Sequence, residues 1–524
     1  MLKRSDMIAA LEDRNTVWDF IIIGGGATGI GVAIDAASRG YRPLLIEAHD
    51  FGKGTSSRST KLVHGGVRYL QQGNVSLVLE ALKERGLMRQ NAPHLVHDLA
   101  FVVPNYTWWE APFYGIGLRL YDFLAGKHGF GTSRNLSLKK TMELIPTVKT
   151  DGLRGGVVYY DGQFDDARLL INMMQTAVEQ GAVVANYVEA KALTKDNDIV
   201  SGVVALDNET GAEYHLRGRV VVNATGAFTD AIRQMDDPDS PRMISPSQGV
   251  HVVLDHSFLP GDSAIMVPHT DDGRVLFAIP WQGHTLLGTT DTPIEQAEFE
   301  PCAFQDELDF LVTHAARYLS KAPSESDVRS VFTGIRPLVS GGSEGNTAAL
   351  SRDHTLHISG TGLVTITGGK WTTYRRMAED TVDQAAVVAE LDAAPCKTHT
   401  LHIHGYVKKP KDLGALAHYG ADALHLNNLL AENEAWKEPL HPDTTVCAGE
   451  VAWSVREELA RTVEDFLARR SRMLFLNARA AIEAAPKVAA IMADELKKDD
   501  AWKHEQVEHL TQLAQRCFMM PGLH

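Results

Sequence analysis

Residues 18–47 hold a strand, a glycine turn, a helix and a second strand in unbroken order, and few folds accept that order. The run WDFIIIG at 18–24 is short, apolar and ends in glycine, as a buried strand does. Residues 27–39, ATGIGVAIDAASR, carry apolar residues at helical spacing, and Gly40 follows as a stop signal. PLLIE at 43–47 is a second strand. Such a βαβ unit crosses over right-handed and makes a parallel sheet. Gly24, Gly26 and Gly29 form GxGxxG at the first junction, with Thr28 in the same turn. Gly24 permits the tight turn, Gly26 lets backbone approach a pyrophosphate, and Gly29 lets helix and strand pack closely. The phosphates then sit on a helix N-terminus, where unpaired N–H groups favour an anion. Glu47 ends the second strand, where a carboxylate accepts hydrogen bonds from ribose hydroxyls and repels a 2′-phosphate. At this step FAD and NAD fit equally.

The chain has 524 residues, enough for two or three domains. A formal net charge of -15 argues against a nucleic-acid partner, which needs clustered Lys and Arg. Cys302, Cys396, Cys447 and Cys517 lie far apart with no metal-ligand spacing, so free thiols in a reducing compartment are expected, and no metal. The first fifteen residues read as a short amphipathic helix. No run of about 18 apolar residues occurs, so no segment is expected to span a membrane, while surface attachment stays open.

Further along, residues 52–68 are long, polar and glycine-rich, as functional loops are. Trp108, Trp109, Phe113, Tyr114 and Tyr121 read as a local core rather than a binding platform. Residues 165–180 read as a helix with Asp165 as N-cap. Residues 248–291 alternate strand and turn signals, giving antiparallel sheet, and 413–524 have helical periodicity. Two segments tip the cofactor to FAD. The strand 220–226, VVVNATG, resembles a second FAD-binding segment of the glutathione-reductase-like oxidoreductases. Gly368, Gly369 and Lys370 follow a strand and open a helix, a place from which backbone N–H groups can face the flavin pyrimidine oxygen.

The segments DFIIIGGGATG, TSSRSTKLVHGGVRYL, FTGIRPL, SRDHTL and GGKWTTYRRMAE together are similar to the FAD-dependent glycerol-3-phosphate dehydrogenases, from about residue 18 to 385 and more weakly beyond. The resemblance implies an α/β fold. An FAD-binding Rossmann-like domain would use 17–90, 152–243 and 353–390. An antiparallel-sheet substrate domain would use 91–151 and 244–352, and an α-helical C-terminal domain 395–524. It implies oxidation of sn-glycerol 3-phosphate to dihydroxyacetone phosphate, noncovalent FAD, and electrons passed to a membrane quinone. The protein would then be peripheral on the cytoplasmic side of the cell membrane; a homodimer is left open. The EF-hand pattern of mitochondrial members is absent from this sequence. The alternatives are a glycerol-3-phosphate oxidase using oxygen, another FAD-dependent amine or 2-hydroxy-acid oxidoreductase, and a flavin-binding protein without catalysis.

A dianionic substrate with a secondary alcohol needs cations for its phosphate and a base for its hydroxyl proton. Arg68, Arg336, Arg352 and Lys370 sit in turn-containing family motifs, although any one alone would read as a surface ion pair. The resemblance makes His251 the candidate base, whereas the residue pattern alone suits a packed sheet histidine equally well. It also puts His64 at the flavin, Tyr69 at the substrate, Thr55, Ser56 and Ser57 at the pyrophosphate or ring, Gly226 in the FAD site, and Thr372 and Thr373 at the cap of the last FAD-side helix. For a membrane surface the candidates are Lys3 and Arg4, and the stretch 469–476 with Arg469, Arg470 and Arg472; the stronger reading of that stretch packs Met473, Leu474 and Phe475 in the C-terminal core and leaves the arginines solvated.

Overall fold

The computed structural model describes residues 3–66, 74–267, 270, 275–340 and 354–521. An eight-stranded sheet runs in the order His354–Ile358, Val364–Gly368, Glu213–Asn223, Val17–Ile23, Pro43–Glu47, Val183–Asn186, and Ile199–Asp207, itself paired with Val188–Asp196, also pairs with Glu213–Asn223. Val17–Ile23 is central and parallel to both neighbours. Its side chains alternate between two cores. Phe20 and Ile22 meet the helices Ala27–Arg39, Asp166–Glu179 and Tyr374–Val388. Ile21 and Ile23 meet Met7 and Leu11 of the helix Arg4–Glu12. Both faces are therefore dry over Phe20–Ile23, which is why that run is apolar throughout, with Asp19 at the half-buried start of the strand. Each fully buried side chain contributes about 1.5–3 kcal/mol, so Ile22→Asp would break the sheet's centre. Asp165 accepts from Arg168 N and caps its helix as the sequence suggests.

A second, ten-stranded sheet holds the site's polar residues. It is antiparallel except where Ser263–Val267 runs parallel to Val96–Asn105. Its long pair, Ile244–Asp255 with Val328–Val339, sets Ser247 opposite Arg336, Gly249 opposite Gly334 and His251 opposite Phe332. The C-terminal helices Ala448–Glu457, Ala478–Leu496 and Asp500–Leu513 share one apolar core with Phe101, Trp281 and Phe332 of this sheet.

Four sequence expectations change here. Trp108, Trp109 and Phe113 are exposed rather than a local core; only Tyr114 and Tyr121 of that cluster are buried. The helix Glu110–Ala125 turns those two inward and the others outward. Cys302 and Cys517 form a disulfide with Cα atoms 4.5 Å apart, while Cys396 and Cys447 are free thiols. The fold closes a sequence separation of 215 to bring the pair together, which linear spacing cannot reveal. The stretch 469–476 packs in the C-terminal core, as its stronger reading has it, but Arg469, Arg470 and Arg472 are buried with the four apolar residues rather than solvated. Arg469 and Arg470 pair with Asp50, and Arg472 with Asp166. The N-terminal helix is likewise docked, with Arg4 paired to Asp207 at 2.7 Å.

Candidate functional site

A cleft of about 360 Å³ opens at the C-terminal ends of the parallel strands. In an open α/β sheet that edge is where ligands bind. Gly24, Gly26, Thr28, Glu47, Thr55, Ser56, Gly226, Gly369 and Lys370 line it. The glycines explain its shape. Gly24 has φ +112°, and a Cβ there would stand 2.7 Å from the Ala224 carbonyl oxygen. A Cβ on Gly29 would stand 1.9 Å from the Gly24 oxygen, so helix and strand meet this closely only with glycine. Gly26 ends the turn, and the helix Ala27–Arg39 starts with no side-chain cap of its own. Ser56 Oγ accepts from Ala27 N at 2.9 Å, tying the 52–66 loop to that helix.

Glu47 Oε2 accepts from Gly25 N at 2.6 Å and Oε1 from His49 N at 2.9 Å. Each oxygen keeps a further lone pair for a ribose hydroxyl. Burial pushes its carboxyl pKa up, against the pull of those two N–H donors. The carboxylate thus fixes the glycine turn as well as facing the cleft. Thr55 Oγ1 donates to the Ile335 carbonyl at 2.6 Å, linking the loop to the strand that carries Arg336. A helix start whose N-cap residue is a glycine with no side chain to cap it, a glycine-walled turn and an acid at the next strand end fit the ADP half of FAD.

Several expected residues stand elsewhere. Ser57 is buried outside the cleft lining, and its carbonyl accepts from Lys61 Nζ at 3.0 Å and from Arg472 at 2.8 Å. Thr372 is buried too, and its Oγ1 accepts from His64 N at 3.4 Å. Thr373 stands where it was expected, as the N-cap residue of the helix Tyr374–Val388, and its Oγ1 donates to the Lys370 carbonyl at 3.2 Å. Arg68, Tyr69 and Arg352 lie outside the described residues. Other lining groups gave no sequence signal. Val188, Glu189 and Ala190 come from a strand far along the chain. Phe228 stacks on Phe299 with centroids 3.9 Å apart. Trp371 Nε1 donates to the Ser56 carbonyl at 2.8 Å.

Arg336 and His251 meet on one face of the second sheet. Arg336 Nη1 donates to Asp291 Oδ1 and the Gln248 carbonyl, both at 3.2 Å, and Nη2 to the Thr290 carbonyl at 2.9 Å. A quarter of its side chain remains exposed. His251 is buried, stacks on Phe332 at 4.7 Å, and bonds Thr60 Oγ1 through Nε2 at 2.9 Å. Its Nδ1 has no hydrogen-bond partner among the described residues. Burial, then the charges of Lys61 and Arg336, hold its pKa well below the usual imidazole value, so the ring is neutral. Behind it, burial lowers Lys61 to about 7, while its Nζ stays 2.7 Å from Asp166.

A family model described as FAD dependent oxidoreductase matches residues 19–375, and one described as the C-terminal domain of alpha-glycerophosphate oxidase matches 359–503. The mitochondrial glycerol-3-phosphate dehydrogenase of Rattus norvegicus is 39% identical over 529 residues, covering 94% of this chain and 72% of the relative. That of Homo sapiens is 40% identical over 526 residues, with the same coverage. Among solved structures, the glycerol-3-phosphate dehydrogenase from Bacillus halodurans complexed with FAD superposes with a TM-score of 0.80 at 30% identity, over 98% of this chain and 97% of the other.

Proposed function

This chain belongs to the FAD-dependent glycerol-3-phosphate dehydrogenases, and from that premise we propose how its own residues do the work. It oxidises sn-glycerol 3-phosphate to dihydroxyacetone phosphate with FAD as cofactor. The observation that carries the site assignment is that Arg336 and His251 share one face of the second sheet, with Arg336 held by Asp291 and followed directly by Pro337, which lines the cleft. Bound FAD supplies the acceptor for the hydride from C2.

The remaining chemistry falls to side chains. Asp291 and three backbone or hydroxyl acceptors hold the Arg336 guanidinium in one orientation, so it meets the substrate's negative charge without reorganising. His251 takes the C2 hydroxyl proton. Nε2 bonds the Thr60 hydroxyl, whereas Nδ1 is buried without a partner among the described residues, so the proton reaches the ring by way of the half-buried Thr60 Oγ1. The dianionic substrate raises the depressed pKa of the ring, because opposite charge favours the imidazolium. Lys370, with Arg68 and Arg352 from the same family motifs, completes the phosphate site. Glu47 and the first turn of the helix Ala27–Arg39 hold the ADP half. The flavin unit is drawn from 17–90, 152–243 and 353–390, with Gly155–Phe164 pairing in the second sheet. The substrate unit is 91–151 and 244–352, and the helical C-terminal unit 395–524.

Electrons then leave for a membrane quinone, with the protein peripheral on the cytoplasmic face. No described helix is long and apolar enough to cross a membrane, so contact with the quinone is made at a surface. The test is anaerobic bleaching of the bound flavin. sn-Glycerol 3-phosphate should bleach it, whereas glycine, sarcosine and lactate should not. Bleaching by an amine or a 2-hydroxy acid in place of glycerol 3-phosphate would reject the reading.

A further inference from the structure

The helix Glu110–Ala125 is apolar on two opposite faces. Tyr114, Leu118 and Tyr121 point into the protein. Trp109, Phe113, Ile116, Leu120 and Phe123 recur every three or four residues, so they form one stripe, and all of them are exposed. Ile116 is 72% exposed, Phe123 81%, and Trp108 just before the helix 77%. Isolated exposed apolar residues need no account, but a contiguous stripe of six, three of them aromatic or indole at its start, marks a contact surface.

The surrounding charge says what that contact is. Residues 107–149 carry six Lys and Arg against three Asp and Glu, in a chain whose formal net charge is -15. The three acids are all engaged. Glu110 accepts from Tyr106 N and Thr107 N, Asp122 from Ser133 N, and Glu143 pairs with Lys140 at 2.6 Å. Arg119 on the helix and Lys127, Arg134 and Lys139 in the segment that follows it are exposed. An apolar helix face in a net-basic segment, with indoles at one end, matches the layered chemistry of an anionic bilayer: acyl chains inside, headgroups at the edge.

The inner face of the same helix reaches the site. Tyr121 Oη accepts from Gly65 N at 2.7 Å, and Gly65 follows His64. One helix thickness therefore separates the stripe from the segment that carries His64.

We propose that the Trp108–Phe123 face of this helix lies in the headgroup layer of an anionic membrane and docks the enzyme there. The proposal rests on the quinone-linked reading above and names the surface that serves it.

The test uses the full FAD-loaded chain and the variant Phe113→Ser/Ile116→Ser/Phe123→Ser. Both are measured for flotation with phosphatidylethanolamine/phosphatidylglycerol vesicles and with phosphatidylcholine vesicles, for dye-linked glycerol 3-phosphate oxidation in solution, and for mass by analytical ultracentrifugation. The parent should float with the anionic vesicles and much less with phosphatidylcholine. The variant should lose that binding by roughly tenfold or more while its dye-linked rate stays within about twofold. Equal vesicle binding by parent and variant would place the docking face elsewhere. A dimer that the variant turns into monomer, with vesicle binding unchanged, would assign the stripe to a second copy and overturn the proposal. A parent that oxidises glycerol 3-phosphate with the dye but binds no vesicle would overturn it too, and would reject the membrane-quinone reading without touching the substrate assignment.

Discussion

Gly249 is a small residue whose enlargement should disable catalysis without touching the cofactor. Its φ lies outside the left-handed region, so its backbone accepts alanine. The space does not. A Cβ at Gly249 would stand 2.4 Å from Arg336 Nη2, 2.7 Å from Nη1 and 2.7 Å from Thr289 Oγ1. An ordinary carbon–nitrogen contact is about 3.5 Å, so the guanidinium must retreat by about 1 Å. A misplacement of that size at a positioned group costs on the order of 10²-fold in rate. Breaking one or two of its charge-assisted bonds to Asp291 and the neighbouring carbonyls gives a similar figure, about 1.5–3 kcal/mol each. Gly249→Ala should therefore lower kcat/KM for glycerol 3-phosphate by about 10–100-fold in a dye-linked assay, with flavin content unchanged. The same substitution in an Arg336→Ala background should cost almost nothing, because its target is gone. A Gly249→Ala enzyme within about twofold of the parent, or an equal loss in both backgrounds, would refute the placement of Arg336 in the site.

Three further outcomes follow from the same geometry. Glu47→Ala should weaken FAD binding by about 1.5–3 kcal/mol, read by flavin titration of the apoprotein, because the ribose loses its acceptor while Gly25 N and His49 N lose theirs; unchanged affinity would contradict this. FAD should be released on acid precipitation, since none of the described residues lining the cleft is His or Cys, and colour retained in the pellet would show a covalent link through a residue such as His64. Burial lowers the His94 pKa to about 4, below its unfolded value of 6.5, so the unfolded chain binds the extra proton first and stability falls as pH drops between those values. At about 1.4 kcal/mol per unit the loss approaches 3 kcal/mol, and urea titrations at pH 7 and 4.5 should show a smaller fall for His94→Gln; parallel falls would exclude His94 as a cause.

The cofactor half of the site was legible because its determinants are local. Gly24 to Glu47 span one βαβ unit, and turn, helix start and acid follow from spacing alone. Arg336 and His251 were legible only through family motifs, since their meeting depends on the register between Ile244–Asp255 and Val328–Val339, two strands far apart in the chain. Lys61 and Gly249 left no mark, because one is a lysine in a polar loop and the other a glycine in a strand until the fold surrounds them. The arginines at 469–472 misled as surface cations because, beside the nearby Glu464 and Asp465, they pair with Asp50 and Asp166, more than three hundred residues earlier, which only the fold brings to them. The stripe on Glu110–Ala125 inverted expectation for a related reason: aromatic content says that a helix has an apolar face, and only the fold says which face is covered.

The account stands or falls on where the electrons come from and where they go. Stopped-flow absorbance of the purified holoenzyme, mixed anaerobically with sn-glycerol 3-phosphate and then with either a short-chain ubiquinone in anionic vesicles or air-saturated buffer, measures both. The account predicts full flavin bleaching by the substrate, rapid recovery of the oxidised spectrum with quinone, and recovery with oxygen slower by at least roughly tenfold. Bleaching followed by faster recovery in oxygen than in quinone would contradict the quinone-linked role and make the protein an oxidase; no bleaching by glycerol 3-phosphate would contradict the account at its root.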